Sequence, residues 1–320
     1  MRENKVVYGL IGYGGMGRWH TEILSNVPEA VIGGIYDIKE EKREEAKAKG
    51  FSVYETEEAM LADSDIDVVL IATPNDCHKP IAIRAMHAGK NVISEKPVTL
   101  SSADLLEMEK VAKETGKLLT VHQNRRWDDD FLIIKKLVEE QKLGHVFRIE
   151  SRVHGSRGIP GDWRKEKVHG GGMVLDWGVH LLDQILYMYG DRKIETVYAS
   201  LTNITNQEVD DGFTAILTFE GGTEVLVEVG TNNYISLPRW YVLGKDGTAV
   251  IRDWQLTGEI IRKTGKTEET VIPVKTAAGL TKTMAPRRED TIVKEDLPKV
   301  SGDIADFHRN VVAVIRDGAE

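Results

Sequence analysis

From Lys5 to Ile11 the chain is apolar and β-branched over the length of a strand, and after a glycine-rich turn Trp19, Ile23 and Val27 recur four apart, closed by Pro28. Strand, turn and helix are predicted in that order. The same alternation continues, with further strands predicted over 30–36, 51–54, 67–73, 91–94 and 118–122. The helices between them begin near Lys39, at a Thr56 cap, at His78 and at a Ser102 cap, and the last two close at Gly89 and Gly116. Runs such as Asp67 to Thr73 lack polar alternation, as strands buried on both faces do. Six strands joined by helices predict an α/β fold with a doubly wound parallel sheet.

Beyond residue 124 the pattern changes. Phe131, Ile134 and Val138 mark one more helix, ended by Gly144. Strands are then predicted over 146–153, 194–201, 212–220, 223–229, 239–243 and 248–252, joined by turns such as Glu220-Gly221-Gly222 and Lys245-Asp246-Gly247. These make an antiparallel-rich sheet, with a helical segment from Gly170 to Tyr189 inserted early. Residues 263–297 are polar and turn-rich and suggest no element. Two domains follow, 1–124 and 125–320, as expected for 320 residues.

Composition narrows the function. A net charge of −9 gives no global attraction to nucleic acid. Cys77 is the single cysteine, so an internal disulfide is excluded and a reducing, cytoplasmic setting is expected. No apolar run approaches the roughly 20 residues of a membrane helix.

The turn after the first strand reads Gly12-Tyr13-Gly14-Gly15-Met16-Gly17, the G-x-G-x-x-G pattern in the strand–turn–helix setting it requires. Gly12 permits the turn, Gly14 lets backbone approach a pyrophosphate, and Gly17 allows close helix–sheet packing, with Gly15 and Met16 opening the helix. Asp37 ends the second strand, where a carboxylate accepts from ribose hydroxyls and repels a 2′-phosphate, so NAD is expected over NADP. Thr73, Pro74 and Asn75 fall at the carboxyl edge of the sheet, with His78 beside them. Glu95, Lys96 and Pro97 end the next strand, and Gln123 and Asn124 end the last. All face the crevice where open α/β sheets bind ligands.

The stretch Gly170-Gly171-Gly172 through Asp176, His180 and Asp183 adds chemistry. Spacings of four and three put the two acids and the imidazole on one helical face. An acid-supported histidine beside glycines suited to close approach suggests proton transfer next to a bound ligand. The same three side chains are of metal-ligand type, but nothing else supplies a metal signature, and no metal is expected.

Taken with Ala72-Thr73-Pro74-Asn75, Glu95-Lys96-Pro97, Gln123-Asn124-Arg125-Arg126 and Gly161-Asp162-Trp163-Arg164, these motifs resemble the glucose-fructose oxidoreductase / inositol dehydrogenase / rhizopine-catabolism (Gfo/Idh/MocA) family, in family order across nearly the whole chain. The resemblance implies a Rossmann domain, then an α/β domain with a large open sheet, often used to form homodimers or homotetramers. It also implies NAD(P)-dependent oxidation or reduction of a sugar or cyclitol hydroxyl. Family chains continue past the segment resembling Asp306 to Gly318 into a further long helix, whereas this sequence ends at Glu320.

Alcohol oxidation needs a hydride acceptor, a base and a partner for the developing oxygen charge. His180 is expected as the base because an imidazole titrates near neutrality, at about 6.5 when unperturbed. Asp176 is expected to orient it or bind a neighbouring hydroxyl, and Lys96 to hydrogen-bond the reacting oxygen. Asn124, His154, Trp163, His169 and Asp183 are candidate substrate contacts. Two other readings are an NAD-retaining glycosidase of the same fold, marked by cofactor retention without net NADH, and a non-catalytic NAD- or sugar-sensing regulator. Lys96, Asp176 and His180 together argue against the regulator.

Overall fold

The computed structural model describes residues 4–190, 192–266 and 270–319. Its first layer contains β1 (Val6–Ile11), α1 (Gly15–Leu24), β2 (Ala30–Tyr36), α2 (Glu40–Ala48), α3 (Glu57–Ala62), β3 (Val68–Ile71), α4 (His78–His87), β4 (Asn91–Ser94), α5 (Ser102–Thr115) and β5 (Leu119–Val121). The strands pair parallel in the order β2-β1-β3-β4-β5. Every residue of β1 and of β3 is buried, because helices cover both faces, and this is why those stretches are uniformly apolar.

One expected strand is not formed. Residues 51–54 reach the sheet only through a bridge from Val53 to Ile35. The Tyr54 ring lies where a Cβ on Gly34 would be, 2.4 Å away, and its hydroxyl donates to Asp63 at 2.6 Å. The segment therefore packs by its side chain and turns directly into α3, leaving a five-stranded sheet.

The second layer begins with α6 (Asp129–Glu139) and β6 (Val146–His154), followed by α7 (Val179–Tyr189), β7 (Ile194–Thr202), β8 (Gly212–Phe219), β9 (Thr223–Gly230), β10 (Trp240–Gly244), β11 (Gly247–Ile251) and β12 (Gly258–Lys263). A small hairpin, β13 (Val274–Thr276) and β14 (Gly279–Thr281), precedes β15 (Ile292–Glu295) and α8 (Ala305–Asp317). The large sheet has the order β15-β12-β11-β10-β6-β9-β8-β7, antiparallel except for the pair β6·β9. Strict alternation in β8 and β9 places Phe213, Ala215, Leu217, Phe219, Val225, Val227 and Val229 in one core with Phe131 of α6 and Leu181 and Ile185 of α7. β12 to β15 and α8 were not suggested by the sequence pattern.

The segment 170–189 also differs from the single helix expected. Gly170 and Gly172 adopt φ of 70° and 101°, a π-helical turn spans Val174–Gly178, and only then does α7 begin. A Cβ on Gly172 would lie 2.3 Å from Asp210, whose carboxylate accepts from the Val174 N–H. The glycines thus let the chain pass close to its neighbours before the helix starts.

Helix α8 crosses back to the first layer. Ala305, Phe307, Val311 and Val312 join the cluster formed by Tyr8, Leu10, Ile23 and Ile93.

Candidate active site

The glycine turn sorts its residues by what a side chain would meet. A Cβ on Gly12, which sits at φ 95°, would come within 2.5 Å of the Ala72 carbonyl oxygen, and one on Gly17 within 2.1 Å of the Gly12 carbonyl oxygen. Packing alone demands those two glycines. Gly14 and Gly15 meet nothing within 4 Å. Their missing side chains keep open a groove at the start of α1, whose N-cap Gly14 supplies no side-chain cap, so the first N–H groups of the helix face that space. Asp37 stands beside it, with Oδ2 accepting from the Tyr13 N–H at 2.7 Å and Oδ1 from the Lys39 N–H at 2.9 Å. A pyrophosphate at the helix end and a ribose against Asp37 fit this groove.

At the carboxyl edge of the sheet the loops are tied together. Asn75 donates to the Gly170 carbonyl at 3.0 Å, and His169 pairs with Asp76 at 3.1 Å, so both are used to dock the triple-glycine segment onto the first layer. His78 is buried, with Nδ1 2.8 Å from the Pro97 carbonyl and Nε2 3.0 Å from that of Thr73. Burial pushes its pKa down while the two carbonyls oppose the shift. It braces the loops and does not face the groove.

Glu95 was expected among the cofactor contacts, but its side chain turns inward. Oε1 accepts from His20 at 2.7 Å and His122 at 2.8 Å, and Oε2 from the Lys96 N–H at 3.2 Å. Burial raises the carboxyl pKa, but the bonds from His122 and His20 reverse the shift and hold it below the usual carboxylate range.

Lys96 leaves the same strand end in the opposite direction. Its Nζ lies 2.9 Å from the Asp176 carbonyl and 3.1 Å from Oδ1 of that residue, across the boundary between the layers. Arg164 approaches Asp176 Oδ2 at 3.3 Å. The carboxylate expected to support His180 is instead shared by two cations, Lys96 and Arg164. His180 is 4% exposed and its Nδ1 has no partner. Burial, then the charges of Lys96 and Arg125, lower its pKa to about 2. It is a neutral base, not a group poised near neutrality.

The other candidates divide. The carbonyl oxygens of the Gln123 and Asn124 side chains are buried without partners at the end of β5, beside the crevice. Trp163 carries the Arg164 guanidinium 4.5 Å over its ring. Asp183 is not free for a substrate, since Arg126 holds it bidentately at 2.7 and 2.6 Å. Asp176 and Asp183, weighed above as metal-ligand types, are thus each paired with a cation. His154 is likewise engaged inside the sheet, accepting from the Leu237 N–H at 3.2 Å and lying 3.4 Å from Glu228. Sequence reasoning passed over Arg164 and Arg125, the latter stacked 4.1 Å over Trp177 beside His180. Their signal was the Arg-Arg and Trp-Arg pairs inside the motifs.

Family models agree with both layers. Residues 6–123 match an oxidoreductase family with an NAD-binding Rossmann fold, and residues 131–250 match the GFO/IDH/MocA C-terminal domain. The chain belongs to the GFO/IDH/MocA oxidoreductase family. As a member it is a dehydrogenase with an NAD-binding Rossmann domain. It is 28% identical over 313 residues to scyllo-inositol 2-dehydrogenase (NADP(+)) of Bacillus subtilis, covering 97% of this chain and 86% of that one. Myo-inositol 2-dehydrogenase of Thermotoga maritima is 30% identical over 223 residues, 67% of this chain and 65% of the relative. The crystal structure of an NAD-binding protein from Listeria innocua superposes with a TM-score of 0.94 at 50% identity, over 99% of this chain and 91% of that one. Among the described residues no helix is long and apolar enough to cross a membrane.

Proposed function

We propose that this dehydrogenase transfers a hydride between NAD and a secondary hydroxyl of a sugar, sugar derivative or cyclitol. The observation that carries the reading is the Lys96–Asp176 pair, 3.1 Å apart where the end of β4 meets the triple-glycine segment, with neutral His180 one turn away. Bound there, the nicotinamide would supply the hydride acceptor.

The protein side of the proposed reaction rests on Lys96, Asp176 and His180. Lys96 gives two contacts to Asp176 and retains a third N–H for the substrate oxygen, where it stabilises developing negative charge. As the C–H hydride departs, the hydroxyl becomes strongly acidic, so even a weakly basic imidazole accepts its proton at that moment. His180, which burial keeps neutral, is available for this without prior deprotonation. Asp176 fixes the ammonium, and Arg164, which shares that carboxylate, is our candidate for a contact to a neighbouring hydroxyl.

Coenzyme choice rests on Asp37, whose charge opposes a 2′-phosphate. Lys39 and Arg43 lie next to it, and the Bacillus subtilis relative is named for NADP(+), so the ratio of the two coenzymes is to be measured directly. The exposed face of β7, with Val197, Tyr198 and Leu201, fits burial in a homodimer or homotetramer. The test is NADH formation across inositols, aldoses, amino sugars and sugar acids. Turnover on one class, lost in Lys96→Met, supports the reading. A protein that retains NAD yet yields no net NADH on any of them would favour the glycosidase or sensing alternatives.

A further inference from the structure

Beneath the crevice, three histidines that the proposed mechanism does not use converge in the core: His20 from α1, His122 at the end of β5 and His308 from α8, each without exposed surface. One ring nitrogen from each lies within 4.8 Å of the others. Glu95 sets their orientation. Its Oε1 holds His20 Nε2 at 2.7 Å and His122 Nδ1 at 2.8 Å. Each ring therefore donates to the carboxylate and presents its other nitrogen, His20 Nδ1 and His122 Nε2, as a lone pair. His20 Nδ1 accepts from His308 Nε2–H at 3.3 Å, a proton that an ion would displace to His308 Nδ1, while His122 Nε2 and His308 Nδ1 are buried with no partner. Among the described residues no ammonium or guanidinium bonds to Glu95, and Lys96 gives its Nζ to Asp176. The walls are aromatic, with Phe307 4.8 Å and Trp19 5.9 Å from the His122 ring. A buried carboxylate and unpaired acceptor nitrogens in such a setting lack one thing, positive charge.

We propose that His20, His122 and His308 bind a divalent ion of the late first transition row, zinc being the type case, with Glu95 as the carboxylate behind two of the ligands. Imidazole nitrogens suit such ions, and ligating histidines commonly give their other N–H to a carboxylate. A tetrahedral ion with bonds of about 2.0–2.1 Å places ligand nitrogens roughly 3.4 Å apart. His20 and His308 already stand 3.3 Å apart, and His122 closes by rotating on its carboxylate. The ion would pin α8 to the first layer and to the strand end that carries Lys96.

The test uses the full chain, purified from zinc-supplemented cells and dialysed against metal-free buffer. About one zinc per chain is expected, and refolding with Co²⁺ should give the visible absorption of a tetrahedral site. His122→Gln and His308→Gln should each lose the metal. Should either variant not fold, wild-type protein refolded with Zn²⁺ must melt several degrees above the same protein refolded in chelator. A wild-type preparation with under about a tenth of an equivalent of metal and no Co²⁺ spectrum after refolding overturns the proposal. So does full metal content in well-folded His122→Gln, since the ion would then sit elsewhere.

Discussion

Replacing His180 with alanine separates chemistry from stability in one variant. The imidazole is 4% exposed, lacks a partner at Nδ1, and has its pKa lowered to about 2. A histidine whose folded pKa lies below its unfolded value of about 6.5 takes up a proton only on unfolding, so its contribution is complete above that pH and is lost as pH falls below it. The slope is about 1.4 kcal/mol per pH unit, or about 2 kcal/mol between pH 6.5 and 5. Urea denaturation at several pH values should therefore show His180→Ala losing about one proton's worth less stability on acidification than the wild type. At pH 8 the cavity and the relieved orphan nitrogen oppose each other, each of order 1–3 kcal/mol, leaving a small net change. Turnover should nevertheless fall by roughly 10²–10⁴, about 3–5 kcal/mol of barrier, if His180 takes the proton. The wild-type kcat/KM profile for oxidation should carry no acid limb from this residue near pH 6.5. Turnover within tenfold of wild type would remove His180 from the role of base. An acid limb near 6.5 that vanishes in the variant would show that the imidazole titrates normally and that the burial argument is wrong.

Lys96→Met should lower kcat by about 10²–10³ while leaving the coenzyme Kd within a few-fold, since it removes one positioned donor to the reacting oxygen; an unchanged kcat would sink that role. In Asp37→Ala the ratio of kcat/KM for NAD over NADP should fall by at least about tenfold, because the charge opposing the 2′-phosphate is gone. Asp183→Asn should cost stability on the order of 1 kcal/mol through the half-exposed Arg126 pair, with KM for the substrate unmoved; a rise in KM with unchanged stability would return Asp183 to the substrate pocket.

The sequence by itself determined the parallel sheet and the coenzyme turn, because strand burial and glycine spacing are local constraints. Gly12, Gly14 and Gly17 share one turn and Asp37 closes the following strand, so their spacing is readable along the chain even though Gly12 packs on Ala72 and Asp37 accepts from the Tyr13 N–H. Lys96 and His180 were also legible, since a lysine fixed by the following proline and a histidine after three glycines are locally unusual. What these side chains touch was decided by tertiary structure. Asp176 meets the Lys96 ammonium from 80 residues away, and the turn that carries it follows glycines packed against Leu100, Arg164 and Asp210. Glu95 follows a strand and looks outward on paper, yet three histidines from positions 20, 122 and 308 make an inner polar site for it. Helix α8 was missed because its apolar face has meaning only against the first layer, almost 300 residues earlier in sequence. Local geometry is encoded in neighbours, whereas the partner of a long side chain is set by whichever element the fold brings opposite.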